Sequence, residues 1–243
     1  MGKTQKPLLA IDTSGAMSTA VVFADGGAVE RNLLEFRLHA ELLNVLVSET
    51  LTEAGITAKD LAGVAVGIGP GPFTGLRIGI AAARALAFAL DIPLYGVGSL
   101  DALALQALEQ LKLELPPAAE IVVVTDARRR EVYWAVYRMS NTNEADTNAL
   151  QLPTQITGPY VSKASEIATS ISNIEADRQG RYVVGYGAEL YPDSLHLTPR
   201  APKYPSAAAI GRIARFRAIS NQAQPTDPLY LRRPDIHSNN APA

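Results

Sequence analysis

Two carboxylates occupy matching places in this sequence. Asp12 ends the apolar run LLAID, Asp126 ends EIVVVTD, and a tight turn follows each. Carboxylates at two strand ends that face one cleft could hold magnesium or activate water. Thr13 and Ser14 follow the first and could contact a phosphate, so Asp12, Thr13 and Ser14 form the candidate nucleotide contact. The same residue types also build plain turns, because an aspartate bonds its own backbone two residues on. The second turn is Arg128-Arg129-Arg130. It reads either as a contact for a phosphate backbone or as a solvated loop. Ser14 or Ser18 with His39 offers no complete nucleophile, since no third member is set and no G-x-S-x-G elbow occurs. His39, His196 and His237 lie far apart, and Leu43 stands one helical turn after His39, so no histidine pair is spaced for a metal. Cysteine is absent, which excludes thiolate zinc and disulfides.

The elements that must position these groups centre on residues 67–90, GIGPGPFTGLRIGIAAARALAFAL. Pro70 and Pro72 break the chain after an apolar strand. Thr74 is expected to cap a long helix through its hydroxyl. Gly75, Gly79, Ala83 and Ala87 recur every fourth residue, so they share one helix face with no side chain larger than a methyl. Such a face can receive a partner helix nearly backbone to backbone, or it can pack on the protein's own sheet. A phosphate site at the helix start is a third reading, weakened by two prolines that lack N–H groups. Arg77 and Arg84 make the helix too polar for a membrane span.

Around this stretch the pattern alternates between strands and helices. Strands are expected at residues 8–12, 18–23, 28–36, 61–68 and 92–97. Helices are expected at 39–54, ending at Gly55, and from Ser99 as cap to residue 112. A Pro-containing linker follows, and then the opening repeats: LLAIDTSGAMSTAVVF aligns with IVVVTDARRREVYWAV, placing Asp12 over Asp126. The second half continues with a polar loop at 140–153, a strand at 155–161, a helix at 162–174 with a Ser cap, a strand at 182–186 and a helix from Pro205-Ser206 to residue 219. Its tail is expected to clasp the body through Leu229, Tyr230 and Leu231. The fold class is α/β, a duplicated actin-like or ribonuclease-H-like fold of two βββαβα halves, the second abbreviated. The halves divide as residues 1–112 and 113–243. A net charge of −2 gives no global basic field for nucleic acid. The start, MGKTQKPLLAID, lacks the apolar core of a secretory signal, so a cytoplasmic location is expected.

IDTS at residues 11–14, GPGPFTGLRIG at 69–79 and DARRREVYWAVY at 126–137 together resemble the TsaB (YeaZ) family. Those proteins are accessory subunits of the bacterial machinery that makes N6-threonylcarbamoyladenosine in tRNA, and they are related to the glycoprotease-like TsaD proteins. The resemblance covers over half the chain; beyond residue 140 only PLYLR at 228–232 adds to it. It implies an actin-like fold and a non-catalytic, cytoplasmic subunit that binds and activates catalytic TsaD and joins the ATPase TsaE. It also implies a homodimer when TsaD is absent, tRNA reached through the complex, and no membrane. No cofactor is expected on this chain alone; ATP or ADP would sit at the interface in the complex. The catalytic relative holds a metal with two histidines one turn apart, and here the second would be Leu43. Pro72 stands where the family usually has Ser. The resemblance favours the docking reading, so His39, Leu42, Leu46, Gly75, Leu76, Gly79, Ile80 and Ala83 are expected to meet the partner. Gly79→Leu is then expected to abolish co-purification and leave the fold intact. A stand-alone actin-like ATPase or small-molecule kinase competes, but it needs phosphate-binding glycines in both turns. The first turn has Gly15 and the second has none. A metalloprotease is disfavoured by the missing ligand pair.

Overall fold

The computed structural model describes residues 6–34, 39–111, 119–138, 150–172 and 181–232. The linker at 112–118, most of the polar loop and His237 lie outside the described residues.

The first half begins with a meander, β1 (Leu8–Asp12), β2 (Met17–Val22) and β3 (Ala28–Leu33). Helix α1 (His39–Glu53) leads to β4 (Gly63–Gly67), α2 (Phe73–Leu90), β5 (Leu94–Val97) and α3 (Ser99–Leu111). The five strands are ordered β3-β2-β1-β4-β5, with β1, β4 and β5 parallel. Both β1 and β4 are buried throughout, as their unbroken apolar runs require of strands covered on two faces.

The second half repeats the meander with β6 (Glu120–Asp126), β7 (Glu131–Arg138) and β8 (Thr154–Lys163). It continues through α4 (Ala164–Ser172), β9 (Arg181–Val184), α5 (Tyr186–Leu190) and α6 (Ala207–Ile219). Its sheet is ordered β8-β7-β6-β9, with β9 parallel to β6. Asp12 and Asp126 therefore end equivalent strands, and the duplicated actin-like architecture stands, with the second half one strand shorter among the described residues.

The helices form three layers around the two sheets. α1 and α2 cover one face of the first sheet through Leu43, Leu46, Leu76 and Ile80. α6 covers the other face, where Ile210 and Ile213 pack with Leu8, Ala10 and Val22. α3 sits between the sheets, giving Ala102 and Leu105 to the first core and Leu100, Leu103 and Leu108 to the second. Its two apolar faces follow from that position, while Glu109 and Gln110 stay exposed. A division after residue 112 thus follows the sheets but not the helices, because α6 completes the first half's core.

Local chemistry moved several boundaries. α2 starts at Phe73 with Pro72 as N-cap and no side-chain cap bond, so Thr74 is inside the helix and caps nothing. Ser99 is not a cap either; its hydroxyl is engaged with Gly69 and Asp12. Ser162 belongs to β8, where it accepts a hydrogen bond from the Trp134 indole, and α4 begins two residues later. Gly55 does terminate α1 in the left-handed region, at φ 67°. The helix opened by Pro205-Ser206 is capped by Ser206, whose hydroxyl accepts from the Ala209 amide.

Candidate functional site

Asp12 is fully buried at the end of β1. Its Oδ1 accepts bonds from the Ser14 amide at 2.9 Å and the Ser14 hydroxyl at 2.7 Å. Its Oδ2 accepts from the Ser99 hydroxyl at 2.7 Å. Gly67 makes the room: a Cβ there would lie 1.9 Å from Oδ2. Burial pushes the Asp12 carboxyl above the usual carboxylate range, and the bonds from Ser14 and Ser99 offset part of that rise.

Sequence reasoning offered Asp12, Thr13 and Ser14 as a nucleotide contact; the structure brings them together but packs them shut. The Thr13 hydroxyl donates to the Gly75 carbonyl at 2.8 Å, inside α2. Gly71 of the Pro-Gly loop sits so close to Ser14 that a Cβ would come within 2.8 Å of it. The ring of Tyr204, stacked on Tyr186 at 5.1 Å, lies over Gly15. Both carboxylate oxygens of Asp12 accept hydrogen bonds from within the chain, so the arrangement ties β1, the first turn and α3 together.

This geometry sets a pH dependence. The folded chain keeps the Asp12 proton at pH values where the unfolded chain, with a value near 3.8, has released it. The stabilisation is present in full below the unfolded value and is lost as pH rises through the raised folded one. Asp12→Asn removes that titration. Urea unfolding from about pH 4 to 7 is expected to move the stability difference in favour of the variant as pH rises. A difference that stays constant across the series would refute the assignment.

The equivalent turn of the second half is open. The Asp126 carboxylate accepts from the Arg128 amide at 2.8 Å and pairs with the Arg128 guanidinium at 3.4 Å. Arg128, Arg129 and Arg130 are all exposed and all left-handed, at φ 62°, 55° and 63°. That backbone costs a non-glycine residue on the order of 1 kcal/mol each. Among the described residues no group of histidine and carboxylate side chains could hold a metal. His196 is exposed, and the side chain of His39 lies outside what is described.

The expected docking strip is placed differently. Gly75, Leu76, Gly79, Ile80 and Ala83 are buried under the protein's own sheet, and so is Leu46; Leu42 is half-buried. The reason is Thr13: a Cβ on Gly75 would stand 2.5 Å from its carbonyl oxygen, and one on Gly79 would stand 2.2 Å from its hydroxyl. The glycines admit the first turn, not a partner. The opposite face of α2 is the open one. Ala81, Ala85 and Ala89, again every fourth residue, are exposed beside Phe88, which is 89% exposed. Val45 of the adjacent α1 is exposed as well, at 52%. Sequence reasoning missed this face, although an aromatic on an alanine stripe was the available signal.

A C-terminal strap borders the stripe. The Leu229 amide donates to the Ile68 carbonyl, and Arg84 bonds the Thr226 carbonyl and Asp227. The Tyr230 ring packs on Phe73 at 4.8 Å, with the Arg77 guanidinium 3.9 Å from the Phe73 ring centre. Arg232 then reaches the Ala127 carbonyl and pairs with Glu131. These contacts and the buried inner face pack α2 on the protein's own sheet and leave its outer face open.

Fold and site together define an actin-like protein whose first-half turn is closed and whose second sheet helix carries an open alanine stripe. The family model for TsaD, tRNA N6-adenosine threonylcarbamoyltransferase, matches residues 34–224. An uncharacterized protein of Mycobacterium tuberculosis is 36% identical over 231 residues, 94% of this chain and 92% of its own. The tRNA threonylcarbamoyladenosine biosynthesis protein TsaB of Haemophilus influenzae is 28% identical over 93% of both chains. The solved YeaZ of Pseudomonas aeruginosa superposes with a TM-score of 0.74 at 29% identity, over 93% of this chain and 100% of that one. The chain belongs to the TsaD-type threonylcarbamoyltransferase family, on its TsaB (YeaZ) branch.

Proposed function

We propose that this chain is a non-catalytic accessory subunit of tRNA threonylcarbamoyladenosine biosynthesis, and that it binds and activates a TsaD relative through the outer face of α2. The observation that carries the reading is the exposed Ala81-Ala85-Ala89 stripe with Phe88 beside it. Alanines every fourth residue let a second helix approach closely, and an exposed aromatic supplies the anchor that interfaces concentrate their energy in. The TsaB relatives supply the process. The closed Asp12 turn supports a chain that holds no nucleotide by itself; ATP or ADP enters at the junction with the partner. A second copy occupies the same face when the TsaD relative is absent, TsaE joins the assembled pair, and the work is done in the cytoplasm. Co-expression with the TsaD relative tests this, read by mass measurement of the purified complex and by modification of a tRNA transcript. A one-to-one complex, with modification that needs both chains, is expected. Modification by the TsaD relative alone at the same rate would end the proposal.

A further inference from the structure

A cavity of about 470 Å³ opens at the end of the first sheet opposite the Asp12 turn, where β1, β4 and β5 begin. It is lined by Leu8 of β1, Ala62 just before β4 and Tyr95 of β5, with Leu90 from the end of α2 and Ile219 from the end of α6. A volume of this order suits a small molecule, and small-molecule sites share an apolar lining with a few placed polar groups. Gly63 brings the lining together. A Cβ at residue 63 would stand 2.9 Å from the Tyr95 ring, 3.1 Å from the Pro93 carbonyl oxygen and 3.2 Å from Leu8 Cδ2. Without that atom the three residues meet over the start of β4. Ile219, 71% exposed, adds an apolar side chain open to water.

Among the described lining residues, Lys6, Lys59 and Arg215 are cationic and Asp91 is the one carboxylate. Arg215 serves the frame. Its Nη2 donates to the Lys6 carbonyl at 2.7 Å and to the Val22 carbonyl at 3.2 Å, so α6 pins the segment that carries Lys6. Asp25 and Tyr95 act on the Arg215 charge. Neither lysine forms a salt bridge among the described residues. Asp60 feels the Lys6 charge, but it stands outside the lining, and its Oδ2 accepts from the Thr57 amide and hydroxyl. Lysine stems cover apolar surface while their ammonium heads stay in water, so both heads remain available to an anion at the cavity.

We propose that this cavity binds a small amphipathic carboxylate, its apolar body against Leu8, Leu61 and Ile92 and its carboxylate on Lys6 and Lys59. The site stands apart from the docking reading of α2. Burial of the apolar body supplies most of the affinity, and the lysines supply the preference for an anion.

The probe is octanoate, titrated into the full chain by calorimetry and followed by backbone amide shifts, with 1-octanol as the uncharged comparison. Saturable one-to-one binding is expected, with a dissociation constant between about 0.1 and 1 mM. Octanol should bind about 5- to 10-fold more weakly. The shifts should centre on Leu61, Ile92 and Tyr95. The double change Lys6→Gln, Lys59→Gln should weaken octanoate about 5- to 10-fold and leave octanol unchanged, which a purely structural role for the lysines would not produce. Ile219→Glu should weaken both probes by more than about 10-fold without altering the urea midpoint, because the side chain is largely exposed. Binding that does not saturate would overturn the proposal. So would equal affinity for octanoate and octanol, or octanoate affinity that survives the double lysine change. Shifts centred on Ala85 and Phe88 would also overturn it, since they would place the probe on the α2 stripe.

Discussion

Replacing Gly79 with alanine is expected to destabilise this protein by about 2–4 kcal/mol, where the same change on an exposed helix face stabilises by about 1 kcal/mol. The sign inverts because of one neighbour. The new methyl carbon would lie 2.2 Å from the Thr13 hydroxyl oxygen and 3.2 Å from its Cγ2. Thr13 is buried and its hydroxyl is bonded to the Gly75 carbonyl, so it can move only by giving up that bond. A buried hydroxyl left without a partner costs about 1–3 kcal/mol, and overpacking adds a comparable amount. Against a total stability of about 5–15 kcal/mol the loss is large. Urea unfolding of Gly79→Ala, Thr13→Ala and the double variant checks the cause. The double variant is expected to recover much of the loss, because the oxygen and the Cγ2 that obstruct the methyl are gone. Strict additivity would show that something other than Thr13 opposes residue 79. Gly79→Leu, read from sequence spacing as a clean interface change, is expected to prevent folding instead.

That reversal shows what the sequence could and could not carry. The strands were legible because β1, β4 and β6 are unbroken apolar runs, and runs of that kind have one stable use in an α/β protein. β6, the run EIVVVTD, was placed to the residue, because Asp126 and the three arginines that follow end it with polar side chains. The repeat of Asp12 over Asp126 was legible for the same reason. The inner face of α2 was not. Helical spacing reports that two small-residue stripes exist on α2, but not which one meets the first turn. The decision is made by Thr13, 62 residues away from Gly75 in the chain. Asp12 had the same ambiguity. A carboxylate after an apolar strand serves equally well as an open ligand or a buried tie. Ser99, 87 residues on, settles it by taking Oδ2. The strap was half legible: Leu229 and Tyr230 clasp the body as their apolar character suggested, whereas the aromatic and cation contact among Phe73, Arg77 and Tyr230 needs three-dimensional proximity.

The open stripe yields the second large effect. Phe88→Glu is expected to weaken association with the TsaD relative by more than about 100-fold and to leave folding stability unchanged within about 0.5 kcal/mol. Both halves of that expectation follow from exposure. A phenylalanine that is 89% exposed contributes little to the fold, so removing it leaves no cavity. In an interface the same ring is desolvated; a glutamate in its place, one helical turn after Arg84, removes the apolar anchor and brings a charge that must be desolvated. Ala85→Leu acts differently on the same face. It keeps the apolar character but lifts a partner helix away from the Ala81-Ala85-Ala89 stripe, so a smaller loss is expected. Ile156 is the control. It is exposed on β8, the edge strand of the second sheet, and Ile156→Glu is expected to leave association intact. The measurement is the mass and affinity of the complex for each variant, beside urea unfolding of the isolated chain. If Phe88→Glu and Ile156→Glu weaken association equally, general surface hydrophobicity would explain the binding and the α2 stripe would lose its role. If only Phe88→Glu does so, and the isolated chain also becomes monomeric with the same change, the partner and a second copy compete for one face.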